Sequence, residues 1–326
     1  MAVPARAPRL LIVRRDNIGD LVCTTPLIAA LRERLPEAWI GALVNSYNAE
    51  VLARNPALDE VFVYEKLKHR TRSLPRLAIE RLRLVARLRR LRLDAVLVPA
   101  PSPQTKRLAT RLGAARLIEG RADAPSDLHE VERSFDLGRA FGVEGTPGPL
   151  RIYPDPTAIE RARRAAGEGP FAAIHISARR PRQRWPLDRY AALAQELARE
   201  QPVLLLWAPG PRDDPRHPGD DAAAREVTRL AASDRLVPLP TPDLAALIAA
   251  LSLARLVVCP DGGAMHLAAA LGKPVVALFG DSPPERWRPW GVAHRIVRPE
   301  SRDLADLPLA PVLAAARELS AEHSRR

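Results

Sequence analysis

Cysteine is nearly missing from this chain of 326 residues: only Cys23 and Cys259 occur. Two thiols are too few for a disulfide scaffold or a thiolate metal site. Aromatic residues are scarce at 4%, which leaves little to stack against unpaired bases. Lysine is rarer still, supplying 4 of the 50 basic residues against 46 arginines. That bias, with 33 prolines, is also what a GC-rich coding sequence produces, so it is not by itself a functional signal. Long apolar runs are absent as well. The longest, residues 244–259, is interrupted by Ser252 and Arg255 and falls short of the roughly 20 residues a membrane-crossing helix needs. The run LLIV at 10–13 is too short for a signal-peptide core. A cytosolic protein is the expectation.

What is present is a balance of 47% apolar and 27% charged residues, that of a soluble globular protein. The length suggests two domains. The formal net charge is +12, and its placement says more than its size. Residues 66–92 carry Lys66, Lys68, Arg70, Arg72, Arg76, Arg81, Arg83, Arg87, Arg89, Arg90 and Arg92 against Glu80 alone, leaving only +2 for the other 299 residues. From Pro75 the segment reads as a helix, with Leu77, Leu84, Leu88 and Leu91 at helical spacing, Val85 beside them, and arginines on the remaining faces. Such a face is either simply solvated or a docking surface for an anionic membrane or phosphorylated lipid. Arg81, Arg83, Arg87 and Arg90 are its candidate contacts. No aromatics interleave with the run, so nucleic acid is not the expected partner.

The rest alternates strand and helix. Strands are expected at 10–14, 39–44, 61–64 and 95–98, then again at 171–177, 203–207, 237–239, 256–259 and 275–279, with helices between. A turn-rich break, GTPGP at 145–149, separates the two series. The fold class is therefore α/β: two doubly wound parallel-sheet domains, residues 1–150 and 151–326. Residues 208–221 read as a surface loop rich in Pro and Asp. Ligands of such sheets sit beyond the carboxyl ends of strands, which directs attention to three loops.

The first loop is DNIGD at 16–20. Asp20 can cap the following helix, or its carboxylate can take a proton from a substrate hydroxyl; Thr25 before Pro26 is an alternative cap. The second is PDGGAMH at 260–266, where Gly262 and Gly263 head a helix expected over 264–271. Its free N–H groups suit a diphosphate, although a plain tight turn fits the glycines equally. The sequence is neither a Walker motif nor G-x-G-x-x-G. Asp261 and His266 flank the glycines and favour a phosphate or ribose site. The third, SARRPRQRWP at 177–186, offers Ser177 and four arginines, Arg182 and Arg184 among them, as phosphate donors; a solvated loop with Trp185 packed beneath is the other reading. His69, His129 and His217 lack ligand spacing, and no metal is expected.

Together, LLIVRRDNIGDLVCTTPLIAAL (10–31), HEVER (129–133), RWPLDRYAALAQEL (184–197) and DGGAMHLAAALGKPVVALFG (261–280) resemble glycosyltransferase family 9, the bacterial lipopolysaccharide heptosyltransferases, across nearly the whole chain. The resemblance implies a GT-B architecture of two Rossmann-like domains facing a cleft, the first binding acceptor and the second binding nucleotide-sugar donor. It implies inverting, metal-independent transfer of heptose from ADP-L-glycero-D-manno-heptose to a lipopolysaccharide core acceptor at the inner face of the inner membrane, with no cofactor beyond the donor. Asp20 takes the position of the family's general base. Asp261, Gly262, Gly263, Ala264 and His266 take that of the donor diphosphate loop, with Ser177, Arg182 and Arg184 beside it. Two positions depart from the family: Gly262 stands where Thr is common, and Gln183 where Lys is common. Two other functions fit the residues. One is a GT-B relative using another nucleotide sugar, including a nucleotide-sugar epimerase. The other is a non-catalytic protein binding anionic lipid or nucleic acid.

Overall fold

The computed structural model describes residues 6–64, 74–121, 125, 127–213 and 218–324. Lys66, Lys68, His69, Arg70, Arg72 and His217 lie outside the described residues, as does the side chain of Arg76. The chain forms two compact units, Met1–Gly148 and Pro149–Arg326, and the division falls inside the turn-rich stretch at 145–149.

The first unit is a parallel sheet of β1 (Arg9–Val13), β2 (Trp39–Asn45), β3 (Glu60–Tyr64), β4 (Ala95–Val98) and β5 (Arg116–Glu119), in the order β3-β2-β1-β4-β5. The second is a parallel sheet of β6 (Phe171–His175), β7 (Val203–Trp207), β8 (Leu236–Pro240), β9 (Ala254–Pro260), β10 (Val275–Leu278) and β11 (His294–Val297), in the order β11-β10-β9-β6-β7-β8. Central strands are buried on both faces. Leu10, Leu11, Val96, Leu97, Ile174, Leu205 and Val258 are each essentially inaccessible, and full burial of such a side chain contributes roughly 1.5–3 kcal/mol. That two-sided burial is why these strands read as continuous apolar runs.

Three differences from the sequence reading have local causes. Strands β5 and β11 were not anticipated. They are edges, with polar sequences RLIE and HRIV and half-exposed side chains. Next, the helix after β1 is two helices, α1 (Ile18–Val22) and α2 (Thr25–Arg34). Pro26 has no N–H for the carbonyl of Val22, which instead accepts from Thr25 Oγ1 at 2.7 Å. Thr24, one residue before the expected Thr25, is the N-cap of α2. Finally, the loop at 208–221 is exposed only in part, because Asp220 at its end is buried.

From Leu74 the basic segment is helical, as α3 (Leu74–Arg90). Leu88 is buried and Leu84, Val85 and Leu91 pack against the same core as Leu11, Val13 and Phe62. Among the described residues no helix is long and apolar enough to cross a membrane.

In each sheet the strand order reverses at one place, between β1 and β4 and between β6 and β9. Crevices open at the carboxyl ends of strands at such switch points. The loops after β1, β6 and β9, which sequence had singled out, all begin there.

Candidate functional site

In the first unit, Arg14 follows β1 directly and is 1% exposed. Its guanidinium is the hub of a buried charge cluster. Nη2 lies 2.9 Å from Asp20 Oδ1 and 2.6 Å from Glu130 Oε1, and Nε lies 3.1 Å from Asp16 Oδ1. Burial alone would ease the proton off Arg14, but Asp16, Glu130 and Asp20 outweigh it and hold the guanidinium charged. Burial pushes the Asp16 carboxyl above the usual carboxylate range, with Arg14 opposing and Asp20 adding to the rise. The three carboxylates converge on this guanidinium, which supplies the cation there. Among the described residues no group of His, Cys, Asp and Glu is placed to hold a metal ion.

Asp20 is not the N-cap of its helix. That position belongs to Asn17, and Asp20, at the third helical position, reaches back so that Oδ2 accepts from Asn17 N at 3.2 Å and Asn17 Nδ2 at 3.0 Å. Both oxygens are therefore oriented, while the side chain keeps 13% of its surface open.

The HEVER segment explains the far side of the cluster. His129 caps α5 (Glu130–Phe135), its Nδ1 accepting from Val131 N, and Glu132 accepts from His129 N. The cap fixes the first turn of α5, so Glu130 projects to Arg14 from 116 residues away in sequence. Arg14 and Glu130 escaped the sequence reading. The available signal was a charge set directly against an apolar strand, LLIV followed by Arg, where burial demands a partner.

In the second unit the two loops at the switch point meet. Gln183, buried in the short turn Pro181–Gln183, donates from Nε2 to Asp261 Oδ2 at 3.1 Å and to Ser282 Oγ at 3.2 Å. Burial raises the Asp261 carboxyl above its ordinary range, against the hydrogen bonds of Ser282 and Gln183 and the charge of Arg180. Gly262 precedes α10 (Gly263–Ala270) at φ 157° and ψ −166°, a conformation that essentially only glycine takes. A Cβ there would meet open space, so backbone geometry, not crowding, selects glycine. Gly280 is the opposite case: a Cβ would lie 2.6 Å from the Arg182 carbonyl oxygen, and this contact seats the arginine loop on the strand end. Helix α10 begins one residue earlier than expected. Its first N–H groups, at Gly263 and Ala264, have no intrahelical acceptor, and the helix dipole favours an anion there. His266 is buried one turn in, its ring edge-on to Trp287 at 6.1 Å.

The four arginines of the third loop are not equivalent. Arg184 Nη1 pairs with buried Asp220 Oδ1 at 2.9 Å, so its positive charge is balanced within the protein. Arg182 is exposed, and Ser177 Oγ accepts from Ala208 N at 3.0 Å, tying this loop to the one after β7. Trp185 packs beneath, as one reading of the loop had it, 2% exposed.

Beside this pair sits His175, the last residue of β6. Burial pushes its imidazole down to about 4, with the Asp220 charge opposing. Among the described residues its Nδ1 has no hydrogen-bond partner. The unfolded chain takes up a proton near 6.5 while the folded one refuses it to about 4. Stability supplied by the neutral ring is thus complete above 6.5 and is lost progressively as pH falls from 6.5 to 4, in all on the order of 3 kcal/mol. Urea unfolding of wild type and His175→Gln should show a shallower pH slope for the variant in that window. Equal slopes would place the ring in water.

Residues 105–308 match the model of glycosyltransferase family 9, described as heptosyltransferase. The chain belongs to glycosyltransferase family 9. It is accordingly a glycosyltransferase, and the matched residues contain the loops described in the second unit. The chain is 26% identical over 315 residues to lipopolysaccharide heptosyltransferase 2 of Salmonella typhimurium strain LT2, covering 89% of this chain and 88% of the relative. It is 25% identical over 324 residues to lipopolysaccharide heptosyltransferase 1 of Pseudomonas aeruginosa, covering 94% and 86%. Among solved structures, a family 9 glycosyltransferase from Veillonella parvula superimposes with a TM-score of 0.83 at 21% identity, covering 98% of this chain and 99% of that one. The E. coli ADP-heptose lipopolysaccharide heptosyltransferase II gives 0.77 at 22%, covering 97% and 99%. These structures share the fold of this family 9 chain, the GT-B class of two parallel-sheet domains. Asp20 lies before the segment the family model matches, so its placement rests on the loop geometry described above.

Proposed function

We propose that this protein transfers heptose from ADP-L-glycero-D-manno-heptose to a lipopolysaccharide core acceptor, with inversion and without a metal ion. The observation that carries the reading is what stands at the two switch points. One holds a carboxylate oriented by a buried arginine; the other, a glycine-headed helix N-terminus beside an arginine loop. The names of the relatives at 24–26% identity support heptose and lipopolysaccharide. They span heptosyltransferases 1, 2 and 3, so identity does not single out one acceptor.

The acceptor hydroxyl oxygen attacks the anomeric carbon from the face opposite ADP. As the new C–O bond forms, the bond from carbon to the phosphate oxygen breaks, its electron pair leaves with ADP, and the hydroxyl proton passes to Asp20. One displacement inverts the centre. The charge growing on the departing diphosphate is met by the N–H groups of Gly263 and Ala264, with Arg182, Ser177, Asp261 and His266 around the donor. Arg184, balanced by Asp220, contributes hydrogen bonds and no net charge. Incubation with ADP-heptose and a Kdo–lipid A acceptor tests the reading. Release of ADP with a heptosylated product is expected, whereas transfer only from a UDP-sugar would overturn the donor.

The first unit also supports docking at the inner face of the inner membrane. Ile79 (49% exposed), Leu82 (69%), Arg83, Ala86, Arg89 and Arg90 recur on the outward face of α3, an apolar stripe set in basic residues. Arg87 pairs instead with Glu60 of β3, and the Arg81 guanidinium stacks on Tyr64. These contacts leave Arg83 and Arg90 as the main docking charges of the four named from sequence. The double reversal Arg83→Glu/Arg90→Glu should weaken binding to phosphatidylglycerol vesicles at least tenfold, at about 1 kcal/mol per basic residue. Unchanged partitioning would reject the docking face.

A further inference from the structure

We infer that Arg14 and Glu130 act as a buried positioning pair that orients the Asp20 carboxylate. This rests on Asp20 being the general base of the proposed reaction. Asp20 Oδ1 is held at 2.9 Å by the same Arg14 nitrogen that Glu130 Oε1 contacts at 2.6 Å. A guanidinium alone at that distance would stabilise the carboxylate and make it a reluctant proton acceptor, because an opposite charge within about 4–6 Å favours the ionised form. Glu130 returns a negative charge to the same nitrogen. Glu130 thereby fixes Arg14, and Arg14 fixes the Asp20 carboxylate through the same nitrogen.

The groups around Asp20 and its arginine come from three elements. Arg14 and Asp16 flank the end of β1, Asn17 starts α1, and Glu130 and Ser134 extend from α5, with Ser134 Oγ 3.4 Å from Arg14 Nη1. Arg133 stands behind Glu130, its Nε 3.9 Å from Oε2. Glu130 is 3% exposed, so solvent does not screen the exchange of charge. Arginine suits the hub because its planar fork reaches several carboxylates at once; an ammonium on a single stem does not. A purely structural salt bridge would need no open partner, yet Asp20 alone of the carboxylates on Nη2 keeps access to solvent.

The test is a ¹³C-carboxyl NMR titration of the full chain without substrate, in which Asp20→Asn identifies the Asp20 resonance. Glu130→Gln preserves the shape of the side chain and removes its charge, which leaves Arg14 less balanced, so the Asp20 midpoint should fall relative to wild type. In the transfer assay the same variant should lose about 10- to 100-fold in kcat with KM nearly unchanged, and the acid limb of its pH profile should move down in parallel. In the Asp20→Asn background Glu130→Gln should cost nothing further in kcat. Arg14→Lys guards against misfolding of the first variant: it keeps the charge and loses the fork, and should lower kcat without moving the acid limb. An Asp20 midpoint unchanged by Glu130→Gln, or wild-type turnover of Arg14→Lys, overturns the inference. If Asp20→Asn turns over normally, the base assignment falls and the inference falls with it. If no transfer occurs with these substrates while the midpoint still moves, only the proposed donor and acceptor fail.

Discussion

Asp20→Asn should lower turnover by about 10²–10⁴, the usual contribution of a general base, while KM for the nucleotide sugar changes little. The magnitude follows from what the substitution leaves in place. Arg14 remains balanced by Glu130 and Asp16, so no buried charge is orphaned. The side chain keeps its size on a short helix whose other residues are untouched. One local cost accompanies it. Asp20 faces donors on both oxygens, Arg14 Nη2 on one and the Asn17 N and Nδ2 groups on the other. An amide must turn its NH2 toward one of these donors, which costs about 1–3 kcal/mol of stability. Melting curves measured beside the kinetics separate the two effects, since a folded enzyme saturated with substrate reports only the chemical step. Near-normal kcat in the variant would remove Asp20 from the base role.

The second large effect is on stability. Trp185→Ala should destabilise the second unit by about 3–5 kcal/mol, the range for emptying a large aromatic site. The ring is buried, stands edge-on to Tyr190 with centroids 4.9 Å apart, and donates from Nε1 to the Leu307 carbonyl at 2.8 Å. For a unit of this size that corresponds to a fall in melting temperature of roughly 10 °C. The loss should reach the proposed donor site as well. Trp185 follows the turn that presents Gln183 to Asp261 and Ser282, and without the anchor ADP should bind more weakly. Trp185→Phe keeps most of the packing. It forfeits one hydrogen bond to a carbonyl that Arg189 also serves at 2.6 Å, so its cost should be about 1–2 kcal/mol. Calorimetry on both variants decides; a loss below 1 kcal/mol for Trp185→Ala would mean that the turn is held from elsewhere.

How much of this was readable from sequence follows the range of the forces involved. The central strands were legible because burial on both faces writes itself as an unbroken apolar run, as in LLIV and VLLLW. The edge strands RLIE and HRIV carry no such mark and were missed. The Gly262–Gly263 loop was legible as punctuation between strand and helix. That glycine is demanded by φ at 262 and by a neighbouring carbonyl at 280 was not. In the basic segment the count of charges was plain. Which arginines remain available on α3 was decided by Glu60 and Tyr64 of β3.

By itself, the sequence determined the alternation of strand and helix, the break near residue 150, and the loops that stand at strand ends. These depend on periodicity and turn chemistry within a few residues. Only the tertiary structure decided the state of each charge: Arg14 shared among Asp16, Asp20 and Glu130, Arg184 balanced by Asp220, and Asp261 held by neutral Gln183 and Ser282. The reason is that an ion pair forms between groups close in space, and burial sets its strength. Both depend on partners as far apart as Arg14 and Glu130. The near-absence of cysteine and lysine narrowed the chemistry to arginine and carboxylate. The fold then selected which carboxylates share Arg14.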